Sequence, residues 1–388
     1  MWLPTLAITL VAVAAPAAPA PPPAAVPSPA EQKIARAGTL IERAPKRADG
    51  FDHLALALAQ RARETADPAY YEQADRALDH ALALSPGDFQ ARKLRVWVIL
   101  GRHDFAPALE QARALGREVP DDLQVYGFVV DACVELGRYE EAEKAAQWML
   151  DLRPGNLPGL TRAAYLRELF GDFDGALELM VAAYEQTQTF ESEDRAWLLT
   201  QVGHLHFVKH DLAAAEAALQ RALALFPDYH YTLAELAKLR LAQRRSSEAV
   251  DLLQRRYEAA PHPENLYDLA RALQRAGRPM EARKSWARFE RAALAETHRA
   301  DNSNRELALY YVDQARRPSA ALEVARREMS RRPDVRTLDA YAWALFANGR
   351  REEARQAMRK ALAVGTRAPE ILAHARLIGV RPSRAALQ

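Results

Sequence analysis

Hydrophobic residues recur every three or four positions along short stretches of the chain, which is the spacing of one face of an α-helix. Between Gln124 and Cys133, apolar residues stand at positions 126, 129, 130 and 133. A Leu-Gly-Arg-Tyr turn follows at 136–139, a second stripe begins at Ala142, and Pro154 ends it. Because glycine adopts turn conformations and proline cannot continue a helix, this stretch predicts two helices joined by a short turn.

The same helix–turn–helix pattern repeats along the chain with a period of about 34 residues. An alanine marks the second helix of each unit, at nearly constant spacing: Ala74, Ala108, Ala142, Ala176, Ala215, Ala249, Ala282, Ala321 and Ala354. In six units a proline follows at the same distance from the alanine, at Pro86, Pro120, Pro154, Pro227, Pro261 and Pro333. The small side chains predict close contact between helices. One such unit cannot bury its apolar face alone, so neighbouring units must stack.

These features resemble tetratricopeptide repeats. The resemblance rests on the 34-residue period, the segments 137–142 (GRYEEA) and 349–354 (GRREEA), and the closing prolines, and it covers about residues 48 to 368. Pentatricopeptide repeats have a 35-residue step and lack the proline, so they fit less well. The resemblance implies an all-α fold, a right-handed superhelix (α-solenoid) of antiparallel helix pairs. It also implies that the first helix of each pair lines a concave groove that binds peptides or proteins.

We expect about nine units, at about 48–88, 89–122, 123–156, 157–195, 196–229, 230–263, 264–301, 302–334 and 335–368. Terminal repeats need caps. Residues 31–47 are therefore predicted to form an N-terminal capping helix, and residues 369–388 a C-terminal capping helix and tail. Two stretches exceed the period, near Gln186–Asp194 and Thr297–Asn304. We expect loops there, which either bend the array or contact a partner.

Residues 1–30 contain no charged side chain. Residues 2–15 are apolar apart from two threonines, a run too short to span a bilayer but matching the core of a signal peptide. We predict a signal peptide at 1–20 and a Pro/Ala-rich tether at 21–30; an uncleaved apolar tail or a misassigned start codon is the alternative. No cysteine follows the apolar core, which argues against a lipoprotein. The expected protein is exported, periplasmic or secreted, without a transmembrane span in its mature chain.

Charge is divided unevenly between the two halves of the chain. The net charge of +2 combines −9 for residues 31–195 with +11 for residues 196–388. One interpretation is that the C-terminal half meets an anionic partner, such as an acidic protein segment, lipid headgroups or an envelope polymer. Another is that its arginines lie on solvated outer helix faces. Head-to-tail self-association is a third.

The groove implied by the resemblance would be lined by residues of the first helices at positions i, i+3 or i+4, and i+7. Aromatic and polar side chains alternate at these positions, as a peptide-binding surface requires. The predicted residues are Gln124, Gly127, Asp131, Thr161, Tyr165, Glu168, Trp197, Thr200, His204, Tyr231, Lys238, Tyr267, Arg271, Glu306, Tyr310, Asp339 and Trp343. The alternative is that several of the aromatic residues belong to the core between repeats. The acidic residues come early and the basic ones mostly late, which predicts a ligand with its own charges in the reverse order.

The sequence contains no phosphate-binding loop, nucleophile elbow or His-Glu-x-x-His motif. His206 and His210 are four residues apart, but zinc needs further ligands, so they are interpreted as ordinary turn and groove histidines. Cys133 lies among apolar residues and is expected to be buried and inert. We predict no catalytic residues, no cofactor and no metal.

The predicted function is that of a non-catalytic scaffold binding a protein or peptide. The alternative is a nucleic-acid or other polyanion binder using residues 196–388, which export disfavours for nucleic acid. An enzyme with an unrecognised site is a third hypothesis.

Overall fold

The computed structural model describes residues 27–189 and 191–382, which form α-helices and no β-strand. The predicted signal peptide and most of the predicted tether lie outside these residues. The first ten helices are α1 (Pro29–Arg43), α2 (Ala48–Thr65), α3 (Ala69–Leu84), α4 (Phe89–Gly101), α5 (Phe105–Glu118), α6 (Leu123–Glu135), α7 (Tyr139–Leu152), α8 (Leu157–Leu169), α9 (Phe173–Gln186) and α10 (Ser192–Val208). The next ten are α11 (Leu212–Leu225), α12 (His230–Ala242), α13 (Ser246–Ala259), α14 (Pro263–Arg275), α15 (Pro279–Glu296), α16 (Asn304–Asp313), α17 (Pro318–Met329), α18 (Val335–Ala347), α19 (Arg351–Ala363) and α20 (Pro369–Ile378).

Helices α2 to α19 form nine consecutive pairs, numbered here from pair 1 (α2 and α3) to pair 9 (α18 and α19). Each pair packs against the next, while α1 packs on α2 and α20 packs on α18 and α19. The first helices of neighbouring pairs also pack against each other, as in α4 with α6 and α16 with α18, whereas the second helices do so less. The first helices therefore lie on the inside of the curve. The predicted all-α superhelix of helix pairs is confirmed.

The nine marker alanines lie in the second helices and are 0 to 1% exposed. Each occupies a position where a larger side chain would separate the packed helices. The alanines therefore recur with the period of the helix packing, because every repeat needs a small side chain at this contact. No helix in the described part of the chain is both long enough and apolar enough to cross a membrane.

The superhelix is wound so tightly that its successive turns touch. In the turn of pair 2, His103 Nδ1 lies 3.0 Å from Asp301 Oδ1 in the loop after pair 7. At the start of α7 in pair 3, the hydroxyl of Tyr139 accepts a 2.8 Å hydrogen bond from the backbone N–H of Val335, which follows pair 8. Because pairs 2 and 3 meet the ends of pairs 7 and 8, one turn contains five pairs. The concave side is consequently an enclosed interior rather than an open groove.

Two glycines show how close the turns come. Gly137 and Gly171 have φ of 66° and 86°, and a Cβ on them would lie 2.8 Å from the carbonyl oxygen of Pro333 and 2.7 Å from that of Gly365. Both conformation and space therefore require glycine there. Gly349 also has a positive φ of 75°, but nothing lies within 4 Å of its hypothetical Cβ.

Both stretches that exceed the repeat period lie where turns meet. The first precedes α10, where Glu193 is 2% exposed, accepts a 2.8 Å bond from Arg63 of pair 1 and a 2.5 Å bond from the Tyr229 hydroxyl. The second contains Asp301, the partner of His103. The additional residues therefore supply contacts within the chain.

Candidate functional site

Side chains from several first helices face one another across the enclosed interior, which we call the inner surface. Tyr165 of α8 shows this. Desolvation raises its pKa to about 12, and the Arg336 charge on α18 opposes that shift, yet 39% of the residue is exposed. Water thus reaches the ring while protein surrounds it. Arg336 also acts on Lys238 of α12, whose pKa it lowers, whereas Asp268 of α14 raises that pKa. Helices that are far apart in sequence converge on this space.

A cleft of about 320 Å³ opens on the inner surface of pairs 2 to 4. Its walls include the aromatic rings of Trp97, Phe105 and Tyr165. At Tyr165 it adjoins a smaller cavity of about 110 Å³, which Arg305 and Arg336 line from the next turn. We call the two together the Tyr165 cleft. Clefts that combine apolar walls with a few polar groups are typical of ligand-binding sites.

An ion pair forms one edge of the Tyr165 cleft. Arg162 of α8 donates to Asp131 of α6 at 2.6 Å and to the Gly127 carbonyl oxygen at 2.9 Å. The guanidinium covers Gly127, where a Cβ would approach it to 2.9 Å. The prediction that Gly127 lines the groove is therefore wrong, because Arg162 occupies that place. Asp131 does lie at the cleft.

A charged ladder ties three inner helices together. His204 of α10 lies with Nε2 3.0 Å from Glu168 of α8 and with Nδ1 2.9 Å from Glu235 of α12. Glu235 also accepts a 2.6 Å bond from Lys238. Desolvation lowers the pKa of His204, but the two carboxylates outweigh it and raise that pKa to about 9. The imidazole is thus a cation held between two anions. Glu168, His204 and Lys238 were predicted from the sequence as groove residues, whereas Glu235 was not, although it lies four residues after Tyr231.

Trp343 is held on the inner surface by polar partners. Its ring stacks on His374 of α20 with centroids 4.5 Å apart, and its Nε1 donates to Asp313 at 2.8 Å. Asp339, predicted as a groove residue, is 5% exposed and lies 2.9 Å from His374 Nδ1. Arg271 also points toward α20, where it meets a glutamate at 3.1 Å.

Three further predicted groove residues are buried, as Gly127 and Asp339 are, so the exposure expected of them is wrong. Thr200 is 1% exposed and its hydroxyl lies 2.6 Å from that of Thr232. Tyr267 and Tyr310 are 7% and 8% exposed and pack against Trp286 of the outer helix α15, with ring centroids 5.3 and 5.1 Å away. Large aromatic side chains of α15 reach between the inner helices and cover both tyrosines. These tyrosines are core residues, which was the alternative interpretation.

The remaining predicted residues differ in availability. Gln124 and Tyr231 are exposed, whereas Trp197 is half-buried against core residues. The Thr161 hydroxyl bonds to carbonyl oxygens of its own helix, 3.1 and 3.2 Å away. Glu306 lies inside, where desolvation and a neighbouring glutamate raise its pKa to about 7.

The inner helices carry no net charge in either half of the chain. Helices α2, α4, α6, α8 and α10 contain eight basic and eight acidic residues, and α12, α14, α16, α18 and α20 contain seven of each. The positive excess of the C-terminal half therefore lies mainly in loops and outer helices. The charge order predicted for a groove ligand has no counterpart on these helices.

Within the described residues, no group of three or more His, Cys, Asp or Glu side chains is arranged to hold a metal ion. His206 lies 3.6 Å from Asp211, and His210 occupies a turn with φ of 65°. Cys133 is buried, and desolvation raises its thiol pKa to about 11.

The fold is shared with known helical repeat proteins. No protein-family model matches the chain, and no curated protein matches its sequence. Among solved structures, it is similar to a chain of the APC/C hetero-tetramer Cut9-Hcn1, with TM-score 0.52 and 15% identity, over 76% of this chain and 55% of that one. It therefore spans just over half of that chain. It is also similar to human IFIT1, solved as a dimer with m7Gppp-AAAA, with TM-score 0.51 and 12% identity, over 85% of this chain and 84% of that one. The chain is a tetratricopeptide-like helical repeat protein.

Proposed function

We propose that this protein is a non-catalytic scaffold that holds a peptide or protein segment against its inner surface. The observation that carries the proposal is the placement of exposed aromatic rings. Of the nine large hydrophobic residues exposed in the described chain, two are aromatic, Tyr165 at 39% and Tyr231 at 38%. Both lie on inner helices. Tyrosine provides contact area with few rotors to immobilise, which suits it to a binding surface.

The inner surface also limits the kind of segment that fits. The Tyr165 cleft, whose larger part is about 320 Å³, combines aromatic walls with a carboxylate pair, Asp131 and Glu135, and with the cations Arg162 and Arg336. A segment with an apolar anchor flanked by charges of both signs meets these walls. The neutral inner helices give no support to a uniform polyanion as the ligand.

Peptide selection against the full chain tests this function. Peptides taken from a random display library are measured by fluorescence anisotropy on wild type, Tyr165→Ala, Tyr231→Ala and the control Leu84→Ala. Leu84 is 43% exposed but lies on the outer helix α3. We expect each tyrosine variant to lose about tenfold or more in affinity, roughly the effect of removing an interface hot spot. Peptides that bind both tyrosine variants as tightly as wild type would exclude the inner surface as the site.

We further propose that the protein is exported, which the apolar, uncharged residues 1–15 and the small residues that follow them support. Fractionation of the producing cell and N-terminal sequencing of the purified chain test this proposal. Cleavage near residue 20 in an extracytoplasmic fraction is the expected result. An intact N-terminus on cytosolic protein would contradict it.

A further inference from the structure

One end of the superhelix is formed by loops that no further turn of the described chain covers. The turns within pairs 3 and 4 press against the next superhelical turn through Gly137 and Gly171. The equivalent turns of pairs 6 to 9, at 243–246, 275–280, 314–318 and 348–351, belong to the last turn, as does the end of α20 at 376–382. At Gly277 nothing lies within 4 Å of a hypothetical Cβ. We call these five segments the C-terminal end face.

Six exposed arginines on this end face have no carboxylate partner among the described residues. They are Arg244, Arg275, Arg316, Arg351, Arg376 and Arg381. Their neighbours do form ion pairs: Arg278 lies 2.6 Å from Glu281, and Arg350 pairs with Glu353. The six unpaired arginines therefore give the C-terminal end face a positive charge that neighbouring carboxylates do not neutralise.

Two of these arginines occupy an unfavourable backbone conformation. Arg244 and Arg316 stand at the turn position where pairs 3, 4, 7 and 9 have glycine, with φ of 60° and 56°. A side chain in the left-handed region costs stability. Nothing that either guanidinium contacts within the described chain offsets this cost, so the charge at these sites serves no visible role in folding.

The two most exposed large hydrophobic residues of the described chain lie on the same end face. Met280 is 61% exposed and Leu377 is 62% exposed, compared with 38 to 47% for the other seven. Met280 is beside the turn of pair 7, and Leu377 is in the last turn of α20. Arginines and protruding apolar side chains thus share one surface.

We propose that the C-terminal end face docks on an anionic lipid bilayer, with the arginines at the headgroups and Met280 and Leu377 inserted among them. Basic residues near an anionic leaflet strengthen binding additively, and apolar side chains add interfacial burial. Nucleic acid fits this surface less well. The five segments contain no aromatic residue on which a base could stack, and a phosphate backbone gives the two apolar side chains nothing to contact.

Vesicle co-sedimentation of the full chain tests the proposal. Wild type is compared on phosphatidylglycerol-containing and pure phosphatidylcholine vesicles over a range of salt. A charge variant removes four end-face arginines: Arg244→Gln, Arg275→Gln, Arg316→Gln and Arg351→Gln. A matched control removes four exposed arginines that also lack carboxylate partners among the described residues but lie elsewhere: Arg43→Gln, Arg76→Gln, Arg117→Gln and Arg153→Gln. Any contribution of the apolar N-terminal segment cancels, because all variants share it.

We expect salt-sensitive binding to the anionic vesicles, a loss of at least about 100-fold in the charge variant and little change in the control. Equal losses in both variants, or equal binding to both kinds of vesicle, would overturn the proposal. A second variant, Met280→Ser with Leu377→Ser, distinguishes a bilayer from other polyanions. It is expected to weaken vesicle binding about tenfold while leaving binding to heparin or RNA unchanged. Unchanged vesicle binding in this variant would mean that the face is a general polyanion site instead.

Discussion

The strongest electrostatic prediction concerns His204, which a His204→Gln substitution tests. Its imidazole, 20% exposed, bridges carboxylates on the two neighbouring inner helices at 3.0 and 2.9 Å. Glutamine removes the positive charge that Glu168 and Glu235 share. Glu235 keeps Lys238 as a partner, whereas Glu168 retains no other cation within ion-pair distance in the described chain.

The size of the effect follows from the pKa. The folded pKa of His204 is about 9, against 6.5 for an unperturbed histidine. Each unit corresponds to about 1.4 kcal/mol, so the cation contributes about 3 kcal/mol to the free energy of unfolding. Because the folded pKa is raised, this contribution is complete below pH 6.5. It is lost as the pH rises from 6.5 through about 9, where the folded imidazole also loses its proton.

Denaturant unfolding of wild type and His204→Gln from about pH 6 to about pH 10 measures this contribution. The difference in unfolding free energy is expected to be largest at the acidic end and to shrink by about 3 kcal/mol across the range. His206→Gln is the control, because His206 is on the same helix and its nearest carboxylate is 3.6 Å away. A nitrogen NMR titration of His204 gives the pKa directly. A midpoint near 6.5, or a stability difference that does not change with pH, would refute the reasoning.

Three further perturbations test the packing. Gly137→Ala and Gly349→Ala both place a side chain at a positive φ, but only Gly137→Ala also clashes with the next turn. In thermal unfolding, Gly137→Ala should therefore lower the unfolding free energy by about 1 to 3 kcal/mol more than Gly349→Ala, and equal losses would contradict the contact between turns. Ala108→Leu, at a fully buried site, should destabilise the protein by about 1 to 3 kcal/mol, whereas Ala106→Leu, exposed on the same helix, should be nearly neutral by the same assay. Glu193→Ala should cost about 1.5 to 3 kcal/mol, because it removes the buried carboxylate of Arg63 and leaves only Asp194 as its partner, and it should increase hydrogen exchange where the turns meet; unchanged exchange there would argue against this contact.

The helix pairs could be predicted from the sequence because their determinants are local and repeated. A buried alanine in the second helix of every unit, followed in most units by a closing proline, is a signal that the repetition reinforces. The contacts between turns carry no such signal. Arg63 and Glu193 are 130 residues apart, and their meeting depends on the small rotation that each pair adds, summed over a whole turn.

The candidate site was predictable only in part for a related reason. Helical spacing predicts the side of a first helix that faces inward, and Tyr165, His204 and Lys238 were among the residues predicted there. It cannot show what the second helix inserts into the same space. Trp286 of α15 covers Tyr267, so a residue with the right spacing became part of the core.

One position of the repeat shows how a place in the superhelix sets the requirement on a residue. The left-handed position of the turn holds Gly137 in pair 3, where the backbone of the next turn lies against it, and Arg316 in pair 8, which belongs to the last turn of the described chain. Local conformation favours glycine at both sites. Only the site of Gly137 also excludes a side chain by contact, so glycine is required there both by the backbone conformation and by the lack of space. A side chain at this position in pairs 6 and 8 therefore presses on no other turn of the described chain, and two arginines of the C-terminal end face stand there.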